Sequence, residues 1–293
     1  MEGMLTDFSR IYVDKENDAP LSQEEFRRLQ LVELCILKEF DRICRKNQIN
    51  YTISCGTLLG AVRHKGFIPW DDDADISMLR EDYEKFRKVA NQMDPDICFF
   101  QDHNTDPGYL WGYGKIRKTG TCHIRSGQEH IICKNGVYID IFPLDGIPRS
   151  TVGQIMQDIH CFFVRKMLWA RVGKETAKGL LKIWYKCVSH IPVEKIYQHL
   201  NKMIKKYNEK NPERVRLLMY PSFGKLYVKN TLKTRFGMPR QWYTDLIDYP
   251  FEDTVLRGMR DYDAAMKYMY DDYMTPPPEE KRIPKVSFSK IRF

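Results

Sequence analysis

Apolar and polar positions alternate along this chain in a pattern that changes twice. The first 20 residues are mostly polar and read as an arm punctuated by Pro20. Ser22-Gln23-Glu24-Glu25 then predicts a helix start with a capping box, Ser22 covering the first amides and Glu25 reaching back. Leu29, Val32, Glu33, Ile36, Leu37, Phe40, Ile43 and Cys44 follow at mostly helical spacing, so a long amphipathic helix is expected to end near Asn47. Residues 51–54 predict a strand and Gly56 a turn. Leu58, Leu59, Ala61 and Val62 predict a short helix that Gly66 can stop. A helix is expected over 81–93, a buried strand at 98–100, a strand with one basic face at 115–119, and the strongest strand at 137–142.

From about Thr151 the period becomes helical, with helices expected over 155–172, 177–191 and 193–208. Residues 220–235 read as a strand pair or loop, residues 255–273 as a last helix, and Ser287 onward as an exposed tail. The composite is α+β: a small mixed sheet with flanking helices, then a mainly helical C-terminal half. The expected organisation is an arm (1–20), a catalytic core (21–150), a helical acceptor-side region (151–282) and a tail (283–293), all in one unit.

Composition narrows this only modestly. The chain has 293 residues, 43% hydrophobic and 29% charged, an ordinary globular balance. Its net charge of +8 favours anionic partners, but the basic residues form no long run beside aromatics, so nucleic acid is not expected as a partner. No C-x-x-C pair occurs among the eight cysteines. Cys122, His123, His130 and Cys133 are competent zinc ligands at a spacing that matches no usual zinc loop, and zinc is not the favoured reading. The N-terminus lacks the apolar core of a signal peptide, and no apolar run has the length of a membrane span. A cytoplasmic protein with free thiols is expected, with the basic helical faces admitting peripheral contact with the inner face of the membrane.

The candidate chemistry sits in residues 53–78. Asp73 and Asp75 are one residue apart ahead of the apolar Ile76 and Met78. In a strand, positions i and i+2 share a face, so the two carboxylates repel unless a cation joins them. Mg²⁺ and Mn²⁺ prefer such oxygens. Asp140, alone among the apolar residues of the predicted strand at 137–142, supplies a third carboxylate, and the three together suit phosphoryl or nucleotidyl transfer. Asp71 is an outer-ligand candidate and Asp72 is expected to be solvated. The helix start at Gly56-Thr57 could meet a phosphate. Arg63, His64 and Lys65, or Lys115 and Arg117, could neutralise phosphate charge, and Trp70 could stack on a base or sugar. Each of these is also compatible with a solvated or packed side chain.

The stretches GTLLGAVRHKGFIPWDDDADISM and VYIDIFPLDGIP resemble the LicD family, which includes bacterial phosphocholine transferases and, distantly, fukutin and the fukutin-related protein. The resemblance runs from about Phe26 to Arg282. Ala74 departs from it, since members more often carry a branched aliphatic residue there. The resemblance implies a nucleotidyltransferase-like fold, with Asp73, Asp75 and Asp140 as ligands to Mg²⁺ or Mn²⁺ and Gly56 and Thr57 beside the donor phosphates. It also implies transfer of a phosphorylated alcohol from a CDP-linked donor to a hydroxyl of a glycan, lipid-linked or not, of lipopolysaccharide, teichoic acid or capsule type. Two alternatives stay open: a nucleotidyltransferase acting on a sugar phosphate or protein, and a non-catalytic glycan- or membrane-binding protein.

Overall fold

The computed structural model describes residues 10–209, 211–220, 237–270, 272–284 and 286–293. Its organising element is a mixed sheet. Strand β2 (Thr52–Ile53) runs antiparallel to β3 (Asp75–Leu79), and β3 runs parallel to β7 (Tyr138–Gly146). Strand β7 pairs antiparallel with β5 (Gly114–Lys118), and β5 with β4 (Cys98–Gln101). Beyond Pro143, β7 also pairs with β8 (Arg214–Arg216), which carries β9 (Met238–Pro239).

The sheet's apolar face explains its helices. Ile76, Met78, Ile116, Ile139 and Ile141 are buried in one cluster with Ile36, Leu37, Phe40 and Phe86. Phe40 belongs to α1 (Gln23–Lys46) and Phe86 to α3 (Arg80–Val89), and their rings meet edge-on with centroids 5.0 Å apart. The capping box at Ser22 and Glu25 is present as expected, and α1 ends at Asn47.

Helices α4 (Thr151–Leu168), α5 (Ala170–Thr176), α6 (Gly179–Val188) and α7 (Val193–Asn208) follow. The helical run expected from residue 155 breaks at Trp169. Among the described residues after Asn208, strands precede the one further α-helix, so this part of the chain is less helical than expected. Residues 255–273 are not one helix. Strand β10 (Leu246–Phe251) and β11 (Thr254–Met259) form a hairpin, and only then comes α8 (Tyr262–Tyr270). The strand pair or loop expected over 220–235 lies, past Tyr220, outside the described residues.

The two chain ends also depart from expectation. Strand β12 (Lys290–Arg292) is not an exposed tail. It lies between β1 (Asp14–Glu16) and β6 (Cys122–Ile124). Val13, Phe288 and Ile291 are buried with Leu29 of α1, so the arm and the tail close a small core together.

Candidate active site

The register of the sheet brings the chemistry together. Asp75 on β3 is paired with Asp140 on β7, Asp140 with Lys115 on β5, and Lys115 with Gln101 on β4. Side chains at paired positions point to the same side of a sheet, so two carboxylates and an ammonium share one row. Asp73 precedes the strand rather than belonging to it. The ladder still reaches its neighbour, since the Asp140 N–H donates to the Ala74 carbonyl at 2.9 Å.

The loop before β3 curls back on α2 (Cys55–Arg63). Thr57 Oγ1 accepts the Asp75 N–H at 2.8 Å, and the Ser54 N–H donates to the Asp75 carbonyl at 2.9 Å. Gly56 faces the Asp71 side chain, and a β-carbon on it would lie 2.1 Å from Asp71 Oδ2. The bare Cα of Gly56, in the first turn of α2, therefore leaves room for a carboxylate beside the helix start. A donor phosphate brought there would meet Asp71, and the two anions could share the place only with a cation between them.

Carboxylate oxygens of Asp71, Asp72 and Asp73 all lie within 4.8 Å of one another. Asp72 is thus not a solvated bystander: a curled loop, unlike a strand, lets consecutive side chains converge. Burial and then the charge of Asp72 push Asp71 up to about 6. Burial also raises Asp72. Asp73 keeps solvent access on one side, yet packing and the charges of Asp71, Asp72 and Asp140 push it up to about 7. Asp75 is raised further, by burial first and then by Asp73 and Asp140.

A sixth carboxylate comes from α1. Glu33 is 2% exposed, its Oε2 has no hydrogen-bond partner, and the charges that most affect it are those of Asp73, Asp72, Asp71 and Asp75. Burial and these charges raise it strongly. The sequence carried a signal for it: a glutamate standing within the apolar stripe of a core helix.

Among the described residues two cations face the six carboxylates. Lys115 binds Asp140 directly, and its Nζ sits 3.3 Å from the centroid of the Tyr138 ring. Burial draws its ammonium down to about 8, against the pull of Asp140. Arg125, which the motifs did not single out, interacts with Tyr138, Tyr113, Asp140 and Asp72. Lys115 and Arg125 line a cleft together with Trp111, Tyr113 and Tyr138. Tyr270, at the end of α8, completes the surround, where burial and the charges of Cys55, Asp75, Asp71 and Asp73 raise its phenol.

Other expected groups go elsewhere. Arg117 lines the same cleft, but its guanidinium donates to Gln101 Oε1 and, at 2.8 Å, to the Gly136 carbonyl. Those bonds make it a brace between strands more than a free phosphate clamp. Arg63, His64 and Lys65 lie at the far end of α2, about 12 Å along the helix from Gly56. Arg63 donates to the Tyr273 carbonyl at 2.8 Å, and Lys65 is exposed. Trp70 meets the edge of His64 at 6.0 Å and carries Arg282 over its ring at 5.6 Å. Arg63, His64, Trp70 and the unforeseen Arg282 make a second basic and aromatic group beside the acidic loop.

Cys122, His123, His130 and Cys133 are not gathered for a metal. His130 bonds the Arg171 carbonyl, His123 approaches the Ser287 carbonyl, and among the described residues only Asp71, Asp72 and Asp73 form a set of close ligand atoms. Asp145 is a buried strand residue bonded by Arg80 through two nitrogens at 2.8 and 2.7 Å.

Residues 48–169, which contain the acidic loop, the Asp75–Asp140–Lys115 row and the cleft, match the family profile described as LicD/FKTN/FKRP, nucleotidyltransferase domain. The chain is also 30% identical over 272 residues to the lipopolysaccharide cholinephosphotransferase LicD of Haemophilus influenzae, an alignment spanning 88% of this chain and 94% of that protein. The chain belongs to the LicD family. Shorter matches join it to uncharacterised proteins of Rickettsia typhi and Rickettsia prowazekii. The first is 46% identical over 68 residues, 23% of this chain and 21% of that protein. The second is 44% identical over 59 residues, 20% of this chain and 22% of that protein. For a LicD family member, the quoted motifs thus fall on the loop and strands that hold the six acids, except Glu33, which lies upstream of the matched domain.

Proposed function

We propose that this LicD family member transfers a phosphorylated alcohol, with phosphocholine as first candidate, from a CDP-linked donor to a hydroxyl of a cell-surface glycan. The observation that supports the reading is the imbalance of charge: among the described residues, six carboxylates meet at one end of the sheet, opposed by two cations. Carboxylates crowded in this way repel, and the crowding is relieved when a hard divalent cation takes their oxygens. Asp73, Asp75 and Asp140 would hold Mg²⁺ or Mn²⁺, with Asp71 and Asp72 beside them. The ion would neutralise the donor pyrophosphate and ease deprotonation of the attacking hydroxyl.

The protein's own groups have separate tasks. Lys115 would fix Asp140 and give the cleft lining a positive charge. Arg125, which lines the same cleft, would meet the charge that develops on departing CMP. Trp111 would offer a flat surface to the donor, whereas Lys115 stands 3.3 Å from the centroid of the Tyr138 ring and 5.5 Å from that of Tyr113. The name of the Haemophilus relative supports lipopolysaccharide as the first acceptor to try.

The test is a product assay. Purified protein with Mn²⁺ is offered CDP-choline, CDP-ethanolamine, CDP-glycerol and CDP-ribitol with lipopolysaccharide, teichoic acid and capsule fragments. Release of CMP with labelled glycan is the expected result, and a chelator should stop it. Nucleotide transfer from an NTP, with no use of any CDP-linked donor, would overturn the reading in favour of a nucleotidyltransferase.

A further inference from the structure

Helix α6 turns its apolar side outward. Tyr185 is its buried residue, and the Tyr185 ring lies so close to Gly173 of α5 that a β-carbon there would stand 2.5 Å from it. On the other side Leu180 is 84% exposed and Ile183 59%, and Leu181, in the first turn, is 49% exposed. Helical spacing aligns Leu180, Ile183, Trp184 and Cys187 in one stripe. The patch continues onto α4, where Phe163 is exposed and Lys166 reaches across to the Tyr185 hydroxyl at 3.1 Å. Among the described residues, half of the large exposed hydrophobics lie between Val152 and Ile191. Among the described residues no helix is long and apolar enough to cross a membrane, so this face is a surface feature.

Charge decides what covers it. From His160 to Ile191 the sequence carries seven lysines and arginines and one acid, Glu175. Lys178, Lys182 and Lys186 fall at every fourth position and make a row beside the apolar stripe. A second copy of the chain, docked symmetrically here, would set lysines against lysines. A bilayer with anionic headgroups suits both features, since the apolar stripe enters the acyl boundary while the lysines reach the headgroups. We propose that α6, with Phe163 of α4, is a docking face for an anionic lipid surface. This goes beyond the transfer reaction, and vesicles that carry no glycan test it independently.

The experiment is flotation of the full chain with phosphatidylcholine vesicles, with and without phosphatidylglycerol. Binding is expected with phosphatidylglycerol at low salt and should weaken as salt rises. Replacing Lys178, Lys182 and Lys186 with glutamine should weaken it about 100-fold. The Leu180→Asp/Ile183→Asp variant should lose binding while keeping its circular dichroism, native size and turnover of a lipid-free glycan fragment. Absence of binding at low salt overturns the proposal. So does undiminished binding by the double variant, or a wild-type dimer that this variant dissociates.

Discussion

Gly56 and Asp71 touch so closely that any side chain at residue 56 must displace the carboxylate. A β-carbon there would lie 2.1 Å from Asp71 Oδ2 and 3.2 Å from its Cγ. Asp71 belongs to the three-carboxylate set, so the contact positions charge. Gly56→Ala should therefore lower Mn²⁺ affinity and turnover together, about 10–100-fold, as moving a metal's supporting groups usually does. Overpacking should cost about 1–3 kcal/mol of stability. Calorimetric Mn²⁺ titration and the transfer assay check this. Normal metal affinity in the variant would show that Gly56 serves packing alone.

The pairing of Asp75 with Asp140 gives a prediction in which stability and activity move in opposite directions. Burial and the neighbouring acids already disfavour charge at Asp75. Asp75→Asn keeps the shape and removes one charge from the repelling set. In chelator the variant should melt at the same temperature as wild type or higher, while turnover falls at least about 1,000-fold. Added Mn²⁺ should raise the wild-type melting temperature and leave the variant nearly unmoved. A lower melting temperature for Asp75→Asn in chelator would mean that Asp75 is a structural ion-pair partner.

Lys115 gives the converse case. It is the ion-pair partner of Asp140, at 5% side-chain exposure. Lys115→Met leaves that carboxylate beside Asp75 with no direct ion-pair partner, Arg125 acting on it through charge alone. Breaking a buried pair in this way costs about 3–5 kcal/mol. The loss should be large in chelator and partly recovered with Mn²⁺, because a cation held by Asp140 replaces the missing charge. Melting curves in the two conditions separate this from a simple packing defect, which metal would not repair.

Much of the site could be read from local patterns, and what escaped was long-range. Asp73, Asp75 and Asp140 announce themselves by spacing and by isolation in an apolar strand. Glu33 was visible as a charged residue in an apolar helix stripe, but nothing local says which loop it lies beneath. Arg125 follows β6 in a loop, and only the fold turns it toward Asp140 and Asp72. The apolar residues of β12 read as a tail because their partners, β1 and β6, lie far away in sequence. The β10–β11 hairpin was hidden for a different reason. Its turn places Glu252 at φ 55, a conformation for which glycine or asparagine is the usual signal.

Glu252 tolerates that turn because its carboxylate is tied down, and this sets a pH dependence. Arg27 of α1 donates to Glu252 through two nitrogens at 3.0 and 2.6 Å, and the Phe67 N–H donates at 3.1 Å. Burial alone would raise the Glu252 carboxyl, but these bonds outweigh it and hold the group below its ordinary value. A carboxylate held low in the folded chain stabilises it fully above the unfolded value of about 4.3. That contribution is lost as pH falls through the lowered folded value. Glu252→Gln should therefore cost about 1 kcal/mol near pH 7, typical of a half-exposed charge-assisted pair. The gap between variant and wild type should close as the pH drops below about 4. Urea melts of both proteins from pH 7 to pH 3 measure it. A gap that stays constant across that range would mean that the charge of Glu252 contributes nothing and that the hairpin is held by its packing against α2.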